Sequence, residues 1–349
     1  MPTPRLSVLI TAKDYGRFLP QAIASVRRQR LPRAAWELIV VDDGSTDDTA
    51  AVCRQYGDDV RYIYQDNAGQ AAALNRGLHE ARGEFITLLD ADDWFYDDKL
   101  ERLLARFESN PDIGMVHHRL DVVNEHGERL HTGPFRRRLD EGWLREQLIR
   151  YGGTWNAIVS AATSALAFRR RELEAVLPIP EAEFRTAADG YLATQMALRA
   201  SIGAIHESLG AYRLHGHNHW APATLTVDWI RGRYLRPMAV VSDLVRARVP
   251  EQAAQVRLTD DRVYMEYQCL AEKLEGNWRG AANSFRVFLG AVARDRRINF
   301  FNKLWRALAV FSMLLLSFPL YARLKHWYAR SQPAYAVRTK LLPTSPCVR

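Results

Sequence analysis

One local event recurs along the first hundred residues and limits what the chain can fold into: a short apolar run stops in a polar, acid-rich turn. LSVLI (6–10) runs into TAKDY (11–15), WELIVV (36–41) into DDGSTDDT (42–49), and EFITLLD (84–90) into DADD (90–93). VRYIYQ (60–65) is a further run of strand character. Between these runs the apolar residues fall at helical spacing, in Phe18–Gln29, in a helix beginning near Asp47, and in Ala71–Ala81. Asp97–Glu108 continues the pattern and stops at Asn110-Pro111. Strand and helix alternating at this interval predict crossover units on a mostly parallel sheet, an open α/β fold flanked by helices.

Open sheets of this kind bind ligands outside the carboxyl ends of their strands. The three acid-rich turns all stand at that edge. Taken singly, Asp-Gly and Ser-Thr-Asp are ordinary turn and helix-capping residues, and Asp93 or Asp97 could simply cap the next helix. Their coincidence at one edge points instead to a site. Asp90, Asp92 and Asp93 sharpen that reading, because carboxylates this close repel unless a cation or hydrogen-bond donors offset them.

Beyond residue 110 the pattern loosens. A strand is expected at 113–123 and an irregular stretch around Gly152-Gly153; from about 225 the spacing turns helical, as in 264–293. The turn-rich GHNHWAPAT marks a boundary near 216–225. The expected organisation is a catalytic or binding domain over 1–220 (halves 1–110 and 111–220), a helical extension over 221–300, and a basic, apolar tail over 301–349. Three widely separated cysteines and no evident leader at MPTPRLSVLI suit a reducing cytosol rather than a disulfide framework or zinc site.

Charge separates the two halves. Residues 1–215 hold 27 basic and 31 acidic side chains, and residues 216–349 hold 21 and 9. So basic a C-terminal part suggests an anionic surface. The uncharged run 307–322, ALAVFSMLLLSFPLYA, favours lipid over nucleic acid there. At about 1.5 Å per residue that run reaches roughly 24 Å, short of a bilayer core. A buried core helix, a single span and a helix in the membrane interface all stay open. The basic and aromatic flanks fit the interfacial one best.

The ordered motifs SVLITAKDYGRFLPQAIASVRRQ, ELIVVDDGSTDDT and NAGQAAALNRGLHEARGEFITLLDADD resemble a family 2 glycosyltransferase with the GT-A fold. The match runs through about the first 110 residues and more weakly to about 220. The resemblance implies inverting transfer of a sugar from a nucleotide-diphosphate sugar, such as a UDP-sugar, to an acceptor hydroxyl, with Mn²⁺ or Mg²⁺. By position, Asp43 would read the base and Thr11 would contact the nucleotide. Lys13 stands where members commonly carry Tyr, as a phosphate contact or a solvated lysine. Asp92 would bind the metal, Asp90 would face the ribose or metal-bound water, and Asp93 would cap a helix or support the cluster from behind.

FRTAADGYLATQMAL (184–198) resembles the family's acceptor-side segment and makes Asp189 the general base. In YRLHGHNHW (212–220), Arg213 and His215 would meet phosphate or metal, while His217 and His219 read as loop residues. The partners implied are a nucleotide-sugar donor, a saccharide or lipid-linked acceptor and an anionic membrane surface, with no nucleic acid. That places the protein on the cytoplasmic face of the inner membrane. A non-catalytic nucleotide-sugar binder or membrane scaffold is the alternative.

Overall fold

In a computed structural model the described residues are 3–130, 138–158, 162–216, 218 and 226–315; His217, His219 and the tail from 316 lie outside them. The chain divides into two compact units. One takes the described residues of 1–130, 138–146 and 158–213, and the other those of 147–157 and 214–349.

The first unit is built on an eight-stranded sheet. Its strands are β1 (Leu6–Ala12), β2 (Trp36–Asp43), β3 (Arg61–Gln65), β4 (Phe85–Asp90), β5 (Trp94–Phe95), β6 (Ile113–Asn124), β7 (Leu166–Arg169) and β8 (Ser201–Leu214), in the order β3-β2-β1-β4-β7-β6-β8-β5. The first four elements of the order pair in parallel, as expected. From β4 outward the pairs β4–β7, β6–β7 and β5–β8 are antiparallel, so the sheet is mixed. β7 and β8 fall in the stretch where no strand is expected. LAFR is too short to show a period, and β8 begins directly after a helix with no turn signal.

Helices α1 (Leu19–Arg27), α2 (Thr49–Arg54), α3 (Gln70–Glu80) and α4 (Lys99–Glu108) lie close to their expected places. α4 buries Leu100, Leu103, Leu104 and Phe107, the i, i+3, i+4, i+7 stripe of an amphipathic helix. Every residue of β2 is buried, as a strand covered on both faces requires. Two shorter helices, α5 (Arg145–Arg150) and α6 (Arg170–Glu174), precede α7 (Ala188–Arg199).

The second unit is helical: α8 (Arg236–Arg248), α9 (Arg262–Leu274), α10 (Trp278–Arg294) and α11 (Phe300–Leu315). Its core includes Ile230, Met238, Met265, Cys269, Phe288, Val310 and Met313. The helical pattern expected over 264–293 is broken into two helices by Gly276, whose φ of 76° suits glycine.

Candidate active site

Register alone brings the first site residues together. Thr11 at the end of β1 pairs with Asp90 at the end of β4, and Ala12 with Asp42 at the end of β2. The loops beyond are tied to one another. Asp14 accepts from the Thr46 N–H (2.7 Å) and Gly16 N–H donates to Asp47 (2.8 Å). Lys13 is exposed, its Nζ donating to the Gly44 carbonyl at 3.0 Å and lying 3.3 Å from Asp14. Asp47 accepts from Thr49 at the start of α2.

Asp43 is buried and already engaged. It accepts from Gln65 Nε2, Ala68 N and Gly69 N, each at 2.8 Å. A carboxylate offers about four acceptor positions, so roughly one is left for a base. Gly69 makes this possible: its φ is 99°, and a Cβ there would stand 3.0 Å from the Arg185 backbone. From the same loop Gln70 N donates to the Arg185 carbonyl (2.9 Å), and Gln70 Oε1 accepts from Ala188 N (3.2 Å). Asp43 is thus linked through 69–70 to the start of α7, where Asp189 sits. Ala187, just before that helix, holds a left-handed φ of 69°, a strained conformation for a residue with a Cβ.

Carboxylate oxygens of Asp90, Asp92 and Asp93 all lie within 4.8 Å of one another. Asp93 does not cap α4, whose N-cap is Asp98. It accepts instead from Ser164 Oγ (2.5 Å) and from Arg213 N (2.9 Å), bracing the cluster from behind. Burial pushes the Asp90 carboxyl well above its ordinary range, with Asp92 and then Asp189 adding to the push and Thr163 opposing it. Asp93 is raised likewise by burial, Asp92 and Asp90. Asp189 is raised by burial, against hydrogen bonds from Gly190 N–H and the Thr163 hydroxyl. Hard oxygen donors gathered under mutual repulsion fit Mg²⁺ or Mn²⁺.

The turn 163–165 before β7 gives no signal in the sequence, yet it knits the cluster. The Thr163 side chain bonds both Asp90 and Asp189. Ser164 Oγ also accepts from Asp90 N (2.9 Å), and the Ser164 carbonyl takes the Nζ of the fully buried Lys99 at 2.8 Å. Tyr15 and Tyr212 stand close enough for these acids to raise both phenols, after burial as the larger cause.

Arg213, expected at phosphate or metal, is packed against the 90–93 loop. Its Nε donates to the Asp92 carbonyl (2.8 Å), Nη1 to the Glu125 carbonyl (2.7 Å) and Nη2 to Gln21, and Phe18 and Trp94 lie 4.8 Å from the guanidinium. A buried guanidinium must spend its donors on the nearest acceptors, and here those are the walls of the 90–93 loop. His215 belongs to the second unit; it is buried, and its N–H donates to Asn218 at 2.9 Å.

A mixed sheet with an acid-lined edge and an acidic helix start beside it is the arrangement that the sequence resemblance implies. The model described as Glycosyl transferase family 2 matches residues 7–176. The uncharacterised glycosyltransferase alr2836 of Nostoc sp. is 35% identical over 233 residues, 64% of this chain and 69% of that protein. An uncharacterised glycosyltransferase of Rickettsia felis is 32% identical over 218 residues, 61% of this chain, and the match spans only 33% of that longer protein.

Among solved structures, S. aureus TarS 1–349 in complex with UDP-GlcNAc has a TM-score of 0.60 at 17% identity, covering 94% of this chain and 92% of that one. Mannosyltransferase PcManGT of Pyrobaculum calidifontis, in complex with GDP-Man and Mn²⁺, has a TM-score of 0.53 at 18% identity, covering 97% and 86%. The chain belongs to glycosyl transferase family 2 and has the GT-A fold.

Proposed function

We propose that this protein moves a sugar from a nucleotide-diphosphate sugar, a UDP-sugar by first choice, to an acceptor hydroxyl with inversion at the anomeric carbon. The observation that carries the reading is the Thr163–Ser164 turn, which holds the acids of the 90–93 loop and Asp189 in one constellation. Asp92, with Asp90, would hold Mn²⁺ or Mg²⁺, whose chemistry is to offset charge on the diphosphate as it leaves. Asp189 accepts the acceptor's proton as the hydroxyl oxygen bonds the anomeric carbon and the bond to the diphosphate breaks on the opposite face. A carboxyl raised above its usual range by burial is a better base near neutral pH than a solvated one.

Asp43 contributes its remaining acceptor position to the base, and Thr11 lines the floor beside Asp90. Support for a nucleotide-sugar donor comes from the fold relatives, since TarS 1–349 is in complex with UDP-GlcNAc and PcManGT with GDP-Man and Mn²⁺. The acceptor is read as a saccharide or lipid-linked hydroxyl presented at the cytoplasmic membrane face. Thermal stability against UDP, GDP, dTDP and CDP, each with and without Mn²⁺ or Mg²⁺, tests the donor site. The expected result is a metal-dependent shift with one nucleotide that Asp92→Asn abolishes. No shift with any of them in the folded protein would overturn the reading.

A further inference from the structure

Helix α11 gives one side to the protein and the other to solvent. Arg306, Val310 and Met313 are buried, the last two in the core of the second unit. Around the helix from them, Phe300, Phe301, Leu304, Leu308, Phe311 and Leu315 are exposed, at 72%, 79%, 49%, 50%, 46% and 69%. No charge interrupts that face. Lys303 turns to the Ala293 carbonyl (2.6 Å), and Arg306 lies 3.9 Å from Glu266. A contiguous apolar stripe of this kind marks an interaction surface rather than ordinary scatter.

Two occupants suit such a stripe, a second copy of the helix or a bilayer. The spacing 301, 304, 308, 311, 315 is that of a coiled-coil seam. In a coiled coil, however, the flanking positions carry charges that pair across the seam. Here they are Trp305, Ala307, Ser312 and Leu314. A second copy would also bring together two strongly basic regions, each with 21 basic and 9 acidic residues over 216–349. An anionic surface gains from that same excess. α11 keeps Val310 and Met313 in the core of the second unit, and among the described residues no helix is long and apolar enough to cross a membrane.

We propose that α11 docks lengthwise on an anionic bilayer, its Phe300–Leu315 stripe at the boundary between headgroups and acyl chains and its opposite side remaining in the protein core. This stands independently of the transfer chemistry, because the readout is lipid binding and not activity.

The test is co-sedimentation of the full chain with vesicles of two parts phosphatidylcholine to one part phosphatidylglycerol, against pure phosphatidylcholine. Binding is expected to the anionic vesicles, to weaken with salt, and to fall roughly tenfold in Leu308→Glu/Phe311→Glu. Leu308 and Phe311 are about half exposed and the Phe311 ring lies 5.9 Å from Phe285, so folding of the variant is checked by melting; if it is lowered, Phe301→Glu/Leu315→Glu, at more exposed positions of the stripe, replaces it. Undiminished binding by a folded variant would assign lipid contact to the basic residues elsewhere and overturn the proposal. So would equal binding to both vesicle types, or a concentration-dependent dimer that the same substitutions dissolve without any vesicle binding.

Discussion

Two sets of buried carboxylates, one in each unit, are held in opposite ways. Asp295 in the second unit accepts from Arg262 Nε (2.8 Å) and from Arg297 Nη2 (2.9 Å). Burial alone would raise its carboxyl, but the hydrogen bonds and charge of Arg297 and the charge of Arg262 prevail and bring it down to about 2. Asp90 and Asp93 in the first unit are also raised by burial, and neighbouring carboxylates raise them further, against hydrogen bonds from Thr163 to Asp90 and from Ser164 and the Arg213 N–H to Asp93. A paired acid at Asp295 closes a core. An acid cluster left under repulsion is one that a ligand completes, which is why perturbed groups of this sort gather at functional sites.

The sharpest way to break this contrast is Asp92→Asn. Transfer should fall by about a thousandfold, on the order of 4 kcal/mol of transition-state stabilisation. The metal-free protein should melt no lower than the parent, since a carboxylate that pushes up both Asp90 and Asp93 is gone. A lower melting point with activity retained would make the cluster structural, like Asp295. Asp295→Asn should do the reverse. It removes the carboxylate that accepts from the buried Arg262 and from Arg297 and should cost about 3 kcal/mol in denaturant unfolding, with metal binding in the first unit unchanged.

Acid titration separates the two sets by sign. Asp295, depressed in the folded state, contributes stability that is complete above about pH 4 and is lost as pH falls toward 2, about 2 kcal/mol in all. Asp90, Asp93 and Asp189 are raised, so their share of stability is greatest below about pH 4 and declines as pH rises through their folded values. Hydrogen exchange read by unit through an acid titration of the metal-free protein should show opposite slopes in the two units.

Smaller effects sharpen the picture of the first unit. Ser164→Ala removes the donor to Asp93 and the acceptor for Asp90 N, and should cost about 1–2 kcal/mol while weakening Mn²⁺ binding measured by calorimetry. Smallest is Lys13→Ala. That lysine is exposed, so stability should stay within about 0.5 kcal/mol and KM for the donor within about threefold. A larger rise in KM alone would show that Lys13 reaches a phosphate.

The acid-rich ends of β1, β2 and β4 were legible because each lies within a few residues of the strand that carries it. Asp189 was legible only through the resemblance of its segment. Thr163, Ser164 and Lys99 were not legible at all. A lone Thr-Ser before a four-residue strand has no period and no motif, and Lys99 reads as an ordinary helix-surface residue until the Ser164 carbonyl and the Phe95 ring meet it. Arg213's bonds to the Asp92 and Glu125 carbonyls were not legible either, because a guanidinium takes whatever acceptors the fold places around it.

Local pattern by itself determined the alternation of strand and helix, the edge where the acids collect and the basic, apolar character of the C-terminal part. Those properties follow from which residues are apolar and how they are spaced. Tertiary structure decided the antiparallel half of the sheet, the Ser164 bonds to residues 71 and 74 positions away, and which side of α11 is left bare. These depend on contacts between segments remote in sequence, and periodicity within a segment carries no record of what that segment will meet.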